Sequence, residues 1–452
     1  MTFDGAHEPA QTLEVLDHER YSLPFRLPFH LGLYLAINAI PGCFAVIDGP
    51  DCLYRKGEWV HGRHDLCSTL LDAGGRHRIV PTFLHSGEVI KNQGDEVVKR
   101  LRRVAQLAEA DLILVNTMPH VQIIGTQYDK LISEVEGELR QPIYEVPSRA
   151  LEGDWLDGYA EVLATLARRI PLRGALRPGT VAIVGNLMER NEGDGRANVD
   201  ELERMIRGLG LEPISTWLSG RPFAHLCEAS GAELIVALPH GIEAARSLAK
   251  RTGARLIEVP LPFGLPATLR MLRTLGRASG REAEAERFIA AELRHTLPAF
   301  EWLIPTILLG RKLVFSGDPM LFDGLLLGVR ELGMDVVHLS ASARRPTYGV
   351  DLDPEVHGRL PPVYFAPPEA TLSRAMNEVH GRFDVMIANS ESNGNGRAGR
   401  LEFGFPNFFR HALFESPYLG VRGWAWFIEQ IAAIIGASIR EPPNLGPSDP
   451  PR

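Results

Sequence analysis

An internal repeat is the feature that most constrains this fold. Thr180-Val-Ala-Ile-Val-Gly185 reads as a buried strand ending in a glycine turn, and Asp200 to Gly210 as a helix closed by glycine before the next strand. The same order returns at Lys312-Leu-Val-Phe-Ser-Gly317, then in a helix over Leu321 to Leu332 closed by Gly333, then in a strand over Met334 to Leu339. Short unbroken apolar runs suit strands buried on both faces, and such strands joined by helices build parallel sheets. A second pattern extends the count to three. Ala110 to Asn116, Ala232 to Leu238 and Phe383 to Asn389 each carry an acidic residue, then an apolar run, then a polar or Pro-containing loop. The expected fold class is α/β, with three Rossmann-like domains and parallel sheets around a central cleft. In such sheets ligands bind beyond the carboxyl ends of the strands. The loops at Thr117, Pro239 and Ser390 are therefore candidate site walls.

A chain of 452 residues is too long for one core. The expected divisions are a polar arm over 1–20, a first domain over 21–172, a second over 173–300, a third over 301–440, and a disordered, proline-rich tail over 441–452. Leu172 to Gly179 reads as the first link, and Pro298 to Arg311 as a helix-and-turn connection to the third domain. A net charge of −8 argues against nucleic acid and anionic membranes as partners. The longest apolar stretch, Trp424 to Ile435, is interrupted by Glu429 and Gln430, so no membrane span is expected. The N-terminus lacks a basic region followed by an apolar one. A cytoplasmic location is expected.

Several chemistries lack their motifs. Neither Gly185-Asn186 nor Gly317-Asp318 opens a G-x-G-x-x-G loop, and there is no G-x-x-x-x-G-K-[ST], G-x-S-x-G or H-E-x-x-H. Any ATP hydrolysis must be carried out by a partner. Of the four cysteines, Cys43, Cys52 and Cys67 fall within 25 residues, while Cys227 reads as a structural thiol on a helix. Their spacing matches no zinc module or ferredoxin run, and His61, His64 and His77 nearby do not complete one. Cys52 stands out by its setting. Ala45-Val-Ile-Asp-Gly-Pro-Asp-Cys52 is an apolar strand running into a Gly-Pro turn that presents a thiol. Backbone N–H groups freed by such a turn favour thiolate and tune a cluster's potential.

This turn resembles the H-G-P-x-G-C segment of nitrogenase component 1 and its relatives, the dark-operative protochlorophyllide and chlorophyllide reductases and the cofactor-assembly scaffold proteins. Gly49, Pro50 and Cys52 match; Asp48 replaces the histidine, and the turn is one residue shorter. Further pieces resemble the family along nearly the whole chain: Glu88 to Gly94, Asn116 to Gly125, Gly317-Asp-Pro319, Glu331 to Met334, Leu401-Glu-Phe-Gly-Phe-Pro406 and Gly420-Val-Arg-Gly423.

The resemblance implies a subunit that accepts electrons from a P-loop, ATP-dependent iron-protein reductase and reduces a bound substrate. It implies an iron–sulfur cluster of the 4Fe-4S type shared at a subunit interface, in a homodimer, or in a heterodimer or heterotetramer with a related subunit. Only Cys52 stands at a family ligand position. The other two fall near Arg26-Leu-Pro28 and at Met118. Cys43 and Cys67, or a partner chain, are expected to complete the coordination. The middle-domain loop is Leu238-Pro-His-Gly241, without a cysteine, so no molybdenum cofactor is expected. Met118, His240 and Ser390 are the candidate substrate-cavity residues. The alternative is a non-catalytic scaffold or partner subunit that binds a metallocofactor or its precursor. A cluster-free sugar- or nucleotide-binding α/β protein is a third reading.

Overall fold

The structure, a computed structural model, describes residues 23–72, 74–84, 87, 94–392 and 398–440. The expectations for the arm, the tail and residues 88–93 lie outside these. Thirteen strands among the described residues form three sheets. The first holds β1 (Cys43–Asp48), β2 (Ile79–Pro81), β3 (Leu112–Thr117) and β4 (Ile143–Glu145) in the order β2-β1-β3-β4. The second holds β5 (Arg177–Val184), β6 (Glu212–Thr216), β7 (Ala232–Ala237) and β8 (Arg255–Glu258) in the order β6-β5-β7-β8. The third holds β9 (Lys312–Ser316), β10 (Asp335–Ala341), β11 (Val363–Phe365), β12 (Val385–Ala388) and β13 (Gly399–Glu402) in the order β11-β10-β9-β12-β13.

Every pairing within these sheets is parallel. All residues of β1, β3 and β12 are buried, which is why these strands read as unbroken apolar runs. Strand order reverses between β1 and β3, between β5 and β7, and between β9 and β12. These are the three crevices where a parallel sheet accepts ligands.

The helices relevant to the site are α1 (Phe29–Asn38), α2 (Cys52–Glu58), α3 (Trp155–Arg169), α4 (Gly193–Gly208), α5 (Ile242–Thr252), α6 (Glu282–Leu303), α7 (Phe322–Glu331) and α8 (Gly420–Arg440). Helix α3 begins with a capping box, Asp154 accepting from the amide of Asp157 while the Asp157 carboxylate accepts from that of Asp154. Helices α1 and α3 touch through paired glycines. A Cβ on Gly32 would lie 1.6 Å from the Trp155 carbonyl oxygen, and one on Gly158 would lie 2.0 Å from that of Phe29. Only glycine permits this approach.

The middle sheet is a shared wall. Ala182, Val184, Ile235 and Ala237 pack into a core with the first sheet and α1. Their strand neighbours Val181, Ile183, Leu234 and Val236 pack into a second core with the third sheet and α8. The two-residue period of a strand sends alternate side chains to opposite faces, so both cores draw on the same strands.

Some boundaries differ from expectation. Helix α4 starts at Gly193 rather than Asp200 because its first turn lies against other backbone. A Cβ on Gly193 would meet the Phe414 carbonyl at 2.2 Å, and one on Gly195 would meet that of Arg190 at 2.0 Å. The glycines that read as loop serve this close packing. Pro298 falls inside α6, which continues to Leu303 and then through a π-helical turn over Ile304–Leu308. The proline removes one ladder bond, but α6 packs against the helix Leu265–Ser279, α8 and α4. None of the described helices is long and apolar enough to cross a membrane.

Candidate functional site

The crevice between β1 and β3 holds Cys52. Asp48, the last residue of β1 and fully buried, fixes the turn above it. Its carboxylate accepts from Thr82 Oγ1 at 2.8 Å and from the Tyr128 hydroxyl at 2.9 Å, while the Gly49 amide donates to Thr82 Oγ1 at 2.9 Å. Met118 lies across the same turn. Its amide donates to the Asp48 carbonyl, and a Cβ on Gly49 would fall 2.5 Å from Met118 Cγ. Gly49 is thus required for the turn to lie flat beneath Met118. The turn delivers Cys52 to the first position of α2 with its thiol exposed.

Polar groups gather around this thiol. Tyr34 is buried and its hydroxyl has no hydrogen-bond partner among the described residues; burial pushes its phenol well above the ordinary value, and a Cys52 thiolate pushes the same way. Lys56, one turn along α2, is lowered by burial, with Cys52 opposing the shift. His30 is driven down to about 3 by burial and then by the Lys56 charge, so its ring is neutral beside the Thr117 carbonyl.

The other thiols lie elsewhere. Cys43 begins β1, at the opposite end of the strand, roughly 16 Å away by strand rise. It is fully buried, and burial raises its thiol to about 12. Cys67 is exposed, beyond α2 and the π-helical turn Trp59–His64 that extends it, and its amide donates to Asp65. Cys227 lies half-buried on a short helix before β7. Among the described residues no group of three or more His, Cys, Asp or Glu side chains is placed to hold a metal ion. The donor set therefore fits one exposed thiolate at one corner of a cluster. It does not fit a complete cluster within a single chain.

The other two crevices meet each other. His240, just beyond β7, places its Nε2 2.7 Å from Asp318 Oδ2, just beyond β9, and both side chains are buried. His240 also forms part of the wall of a cleft of about 430 Å³ bordered by α3, the loop leading into α5, and residues 344–348. Ser390, beyond β12, turns away from this cleft. Its hydroxyl is committed to Glu402 and to the Phe408 amide, and its amide donates to Pro406, tying down the Gly404-Phe-Pro406 segment.

A buried charged seam was not expected from the sequence. Residues 186–194, which follow β5, sink Glu189, Arg190 and Glu192 between the first and third sheets. Arg190 pairs with Asp194 at 2.5 Å and with Glu192 at 3.3 Å. Glu192 accepts from the amides of Leu66 and Ala412 and pairs with His411 at 2.7 Å. Glu189 is pushed up to about 8 by burial, then by Asp318 and Asp194, and it borders a cavity of about 170 Å³ with Tyr418 and Asn407. His64 locks the seam. Its Nδ1 accepts from the Asn407 amide at 2.8 Å, so its Nε2 carries the proton donated to the Glu189 carbonyl at 3.1 Å. One neutral imidazole thus joins segments 64, 189 and 407. The His64-Asp65 pair beside Cys67 and the charged run 189–194 were the only sequence signals of this junction.

Residues 29–435 match the family described as nitrogenase component 1 type oxidoreductase. The chain belongs to that family. A curated relative, the nitrogenase molybdenum-iron protein beta chain of Clostridium pasteurianum, is 20% identical over 451 residues, covering 89% of this chain and 93% of the relative. Among solved structures, nitrogenase Cp1 at pH 6.5 superposes with a TM-score of 0.77 at 18% identity, covering 93% of this chain and 95% of that one. Nitrogenase Cp1 at pH 5 gives 0.70 at 12% identity, covering 93% and 91%. These likenesses extend over all three sheets of the nitrogenase component 1 fold.

Proposed function

We propose that this chain is a subunit of a nitrogenase-like oxidoreductase in which Cys52 supplies one thiolate to an iron–sulfur cluster of the 4Fe-4S type at a subunit interface. The observation that carries the reading is the exposed Cys52 thiol on a Gly-Pro turn that the buried Asp48 carboxylate holds at the crevice between β1 and β3. Such a cluster, when bound, stores and releases single electrons at low potential. This chain's residues orient the ligand: Asp48 and Thr82 fix the turn, Met118 covers it, and Lys56 supplies a nearby cation. In this reading a separate ATP-dependent iron–sulfur reductase delivers electrons to the assembly, consistent with a chain that carries no G-x-x-x-x-G-K-[ST] loop of its own. The remaining ligands come from a second chain, either another copy or a related subunit.

Anaerobic co-purification with candidate partner subunits, followed by iron and acid-labile sulfide assay, tests this. The assembly is expected to hold iron and sulfide that Cys52→Ala loses. A folded assembly free of iron, or one whose iron survives that substitution, refutes the reading. One observation favours a second reading, a scaffold that hands a metallocofactor onward: Arg26 to Pro28 and Met118 stand where the family places cysteines. Turnover with reductase and ATP separates the two, since a scaffold transfers metal without consuming electrons.

A further inference from the structure

We propose that α6 and the π-helical turn after it form a docking face for a second copy of this chain, the two α6 helices packing antiparallel across a two-fold axis near Pro298. What this face exposes is unusual for a solvated helix. Leu297 is 41% exposed, Trp302 64% and Leu309 63%, and Pro298 and Pro305 are exposed beside them. Glu301 is the only charged residue between Thr296 and Gly310. A solvated face carries polar or charged side chains at most turns, whereas a contiguous apolar one marks contact with another protein. The other side of α6 is already committed to α4, α8 and the helix Leu265–Ser279. Ala291 and Ala290 continue the exposed face toward the start of α6, so that it spans about 30 Å from Ala290 to Leu309.

Charge identifies the occupant. Arg294 and Glu301 are both exposed and stand seven residues apart, two turns along one side of α6. Neither forms an ion pair among the described residues. No acidic residue lies three or four positions from Arg294, and no basic one from Glu301. A two-fold axis between Leu297 and Pro298 reverses the second helix, and each Arg294 then stands opposite the partner's Glu301, twice per dimer. A parallel pairing would instead oppose like charges. The same axis sets Pro305 on the partner's Ala290, and Trp302 beside the partner's Arg294. An acceptor waits there. Pro298 has no amide hydrogen, so the Arg294 carbonyl lacks the donor that an unbroken helix would supply. The largely exposed Trp302 indole brings an N–H that fills this place while its ring covers the small alanines.

Sedimentation equilibrium of the full chain tests the proposal. The parent is expected to dimerise at micromolar concentration. Trp302→Asp should weaken the dimer about a hundredfold or more, since an anchoring Trp is lost from both halves. Arg294→Glu and Glu301→Arg should each weaken it about tenfold, because each sets like charges opposite one another twice. The double swap Arg294→Glu, Glu301→Arg restores opposite charges and should regain most of the parent's strength. All three positions are exposed, so the variants should keep the parent's far-UV circular dichroism. The Cys52→Ala chain should sediment as the parent does, because Cys52 stands on α2 and not on this face. A parent that stays monomeric at tens of micromolar overturns the proposal. So does a dimer that Trp302→Asp leaves unchanged or Cys52→Ala abolishes, or a double swap no tighter than the single ones. Sedimentation needs no iron, so its failure and the failure of the iron and sulfide assay are distinct results.

Discussion

Glu189→Gln should make the protein more stable, and increasingly so as pH rises. Glu189 is pushed up from 4.5 to about 8 by burial among Asp318 and Asp194. Between these two values the folded chain keeps a proton that the unfolded chain releases, so stability falls as pH rises through this window. Each pH unit inside the window amounts to about 1.4 kcal/mol, tapering as pH approaches the folded value. From pH 6 to pH 8 the parent should therefore lose about 2 kcal/mol through this residue alone. Glutamine has the same shape and no charge, and its amide oxygen can keep the bond that the Glu189 side chain accepts from the Phe405 amide. Urea unfolding of both proteins at pH 6, 7 and 8 measures the gap. It should widen by about 2 kcal/mol across that range. A gap that stays constant with pH, or narrows, would refute the claim that Glu189 is buried as the neutral acid.

Gly158→Ala should destabilise by about 3 kcal/mol or more in thermal melting, because its Cβ would fall 2.0 Å from the Phe29 carbonyl oxygen. Gly436→Ala, which meets nothing within 4 Å on α8, should stabilise by about 0.5–1 kcal/mol in the same assay. His240→Ala should lower stability by about 3 kcal/mol at pH 7, since it leaves the buried Asp318 carboxylate without its partner; an unchanged urea midpoint would contradict this. Cys52→Ala should leave the iron-free chain within about 0.5 kcal/mol of the parent, because the thiol is exposed. A larger loss in chemical unfolding would assign the thiol a packing role.

The strands were legible because burial on both faces leaves only apolar residues, as in Leu112-Ile-Leu-Val115 and Val385-Met-Ile-Ala388. The turn at Cys52 was legible through Gly49 and Pro50. The clustering of cysteines in sequence does not carry over into space, for a geometric reason. Cys43 and Cys52 are nine positions apart, but β1 uses most of that stretch to carry the chain from the amino end of the sheet to its carboxyl end. The role of the run Glu189-Arg-Asn-Glu192 was hidden because, apart from Asp194, its charges are matched by groups far along the chain: Leu66, Arg410, His411 and Ala412. Long-range pairing of this kind leaves no periodic trace in sequence. Ser390 was singled out for its place after a strand. Which way its hydroxyl points depends on the Gly404-Phe-Pro406 segment that returns beside it.

The alternation of Val181, Ala182, Ile183 and Val184 between two cores bears on how this chain is made. As the polypeptide leaves the ribosome, the face of β5 and β7 carrying Ala182 and Ile235 can be covered at once by helices already synthesised. The opposite face, with Ile183 and Val236, shares its core with Leu202 and Met205 of α4 and with Phe315 and Leu325 of the third segment, so its cover is complete only once that segment has been made. A truncated chain ending before Gly420 would therefore bare apolar surface on α4 and beside β12 and β13, the kind of surface that chaperones capture and that aggregates nucleate on. Excised fragments should thus be poor proxies for the whole. The middle segment can become a finished module only when both of its neighbours exist.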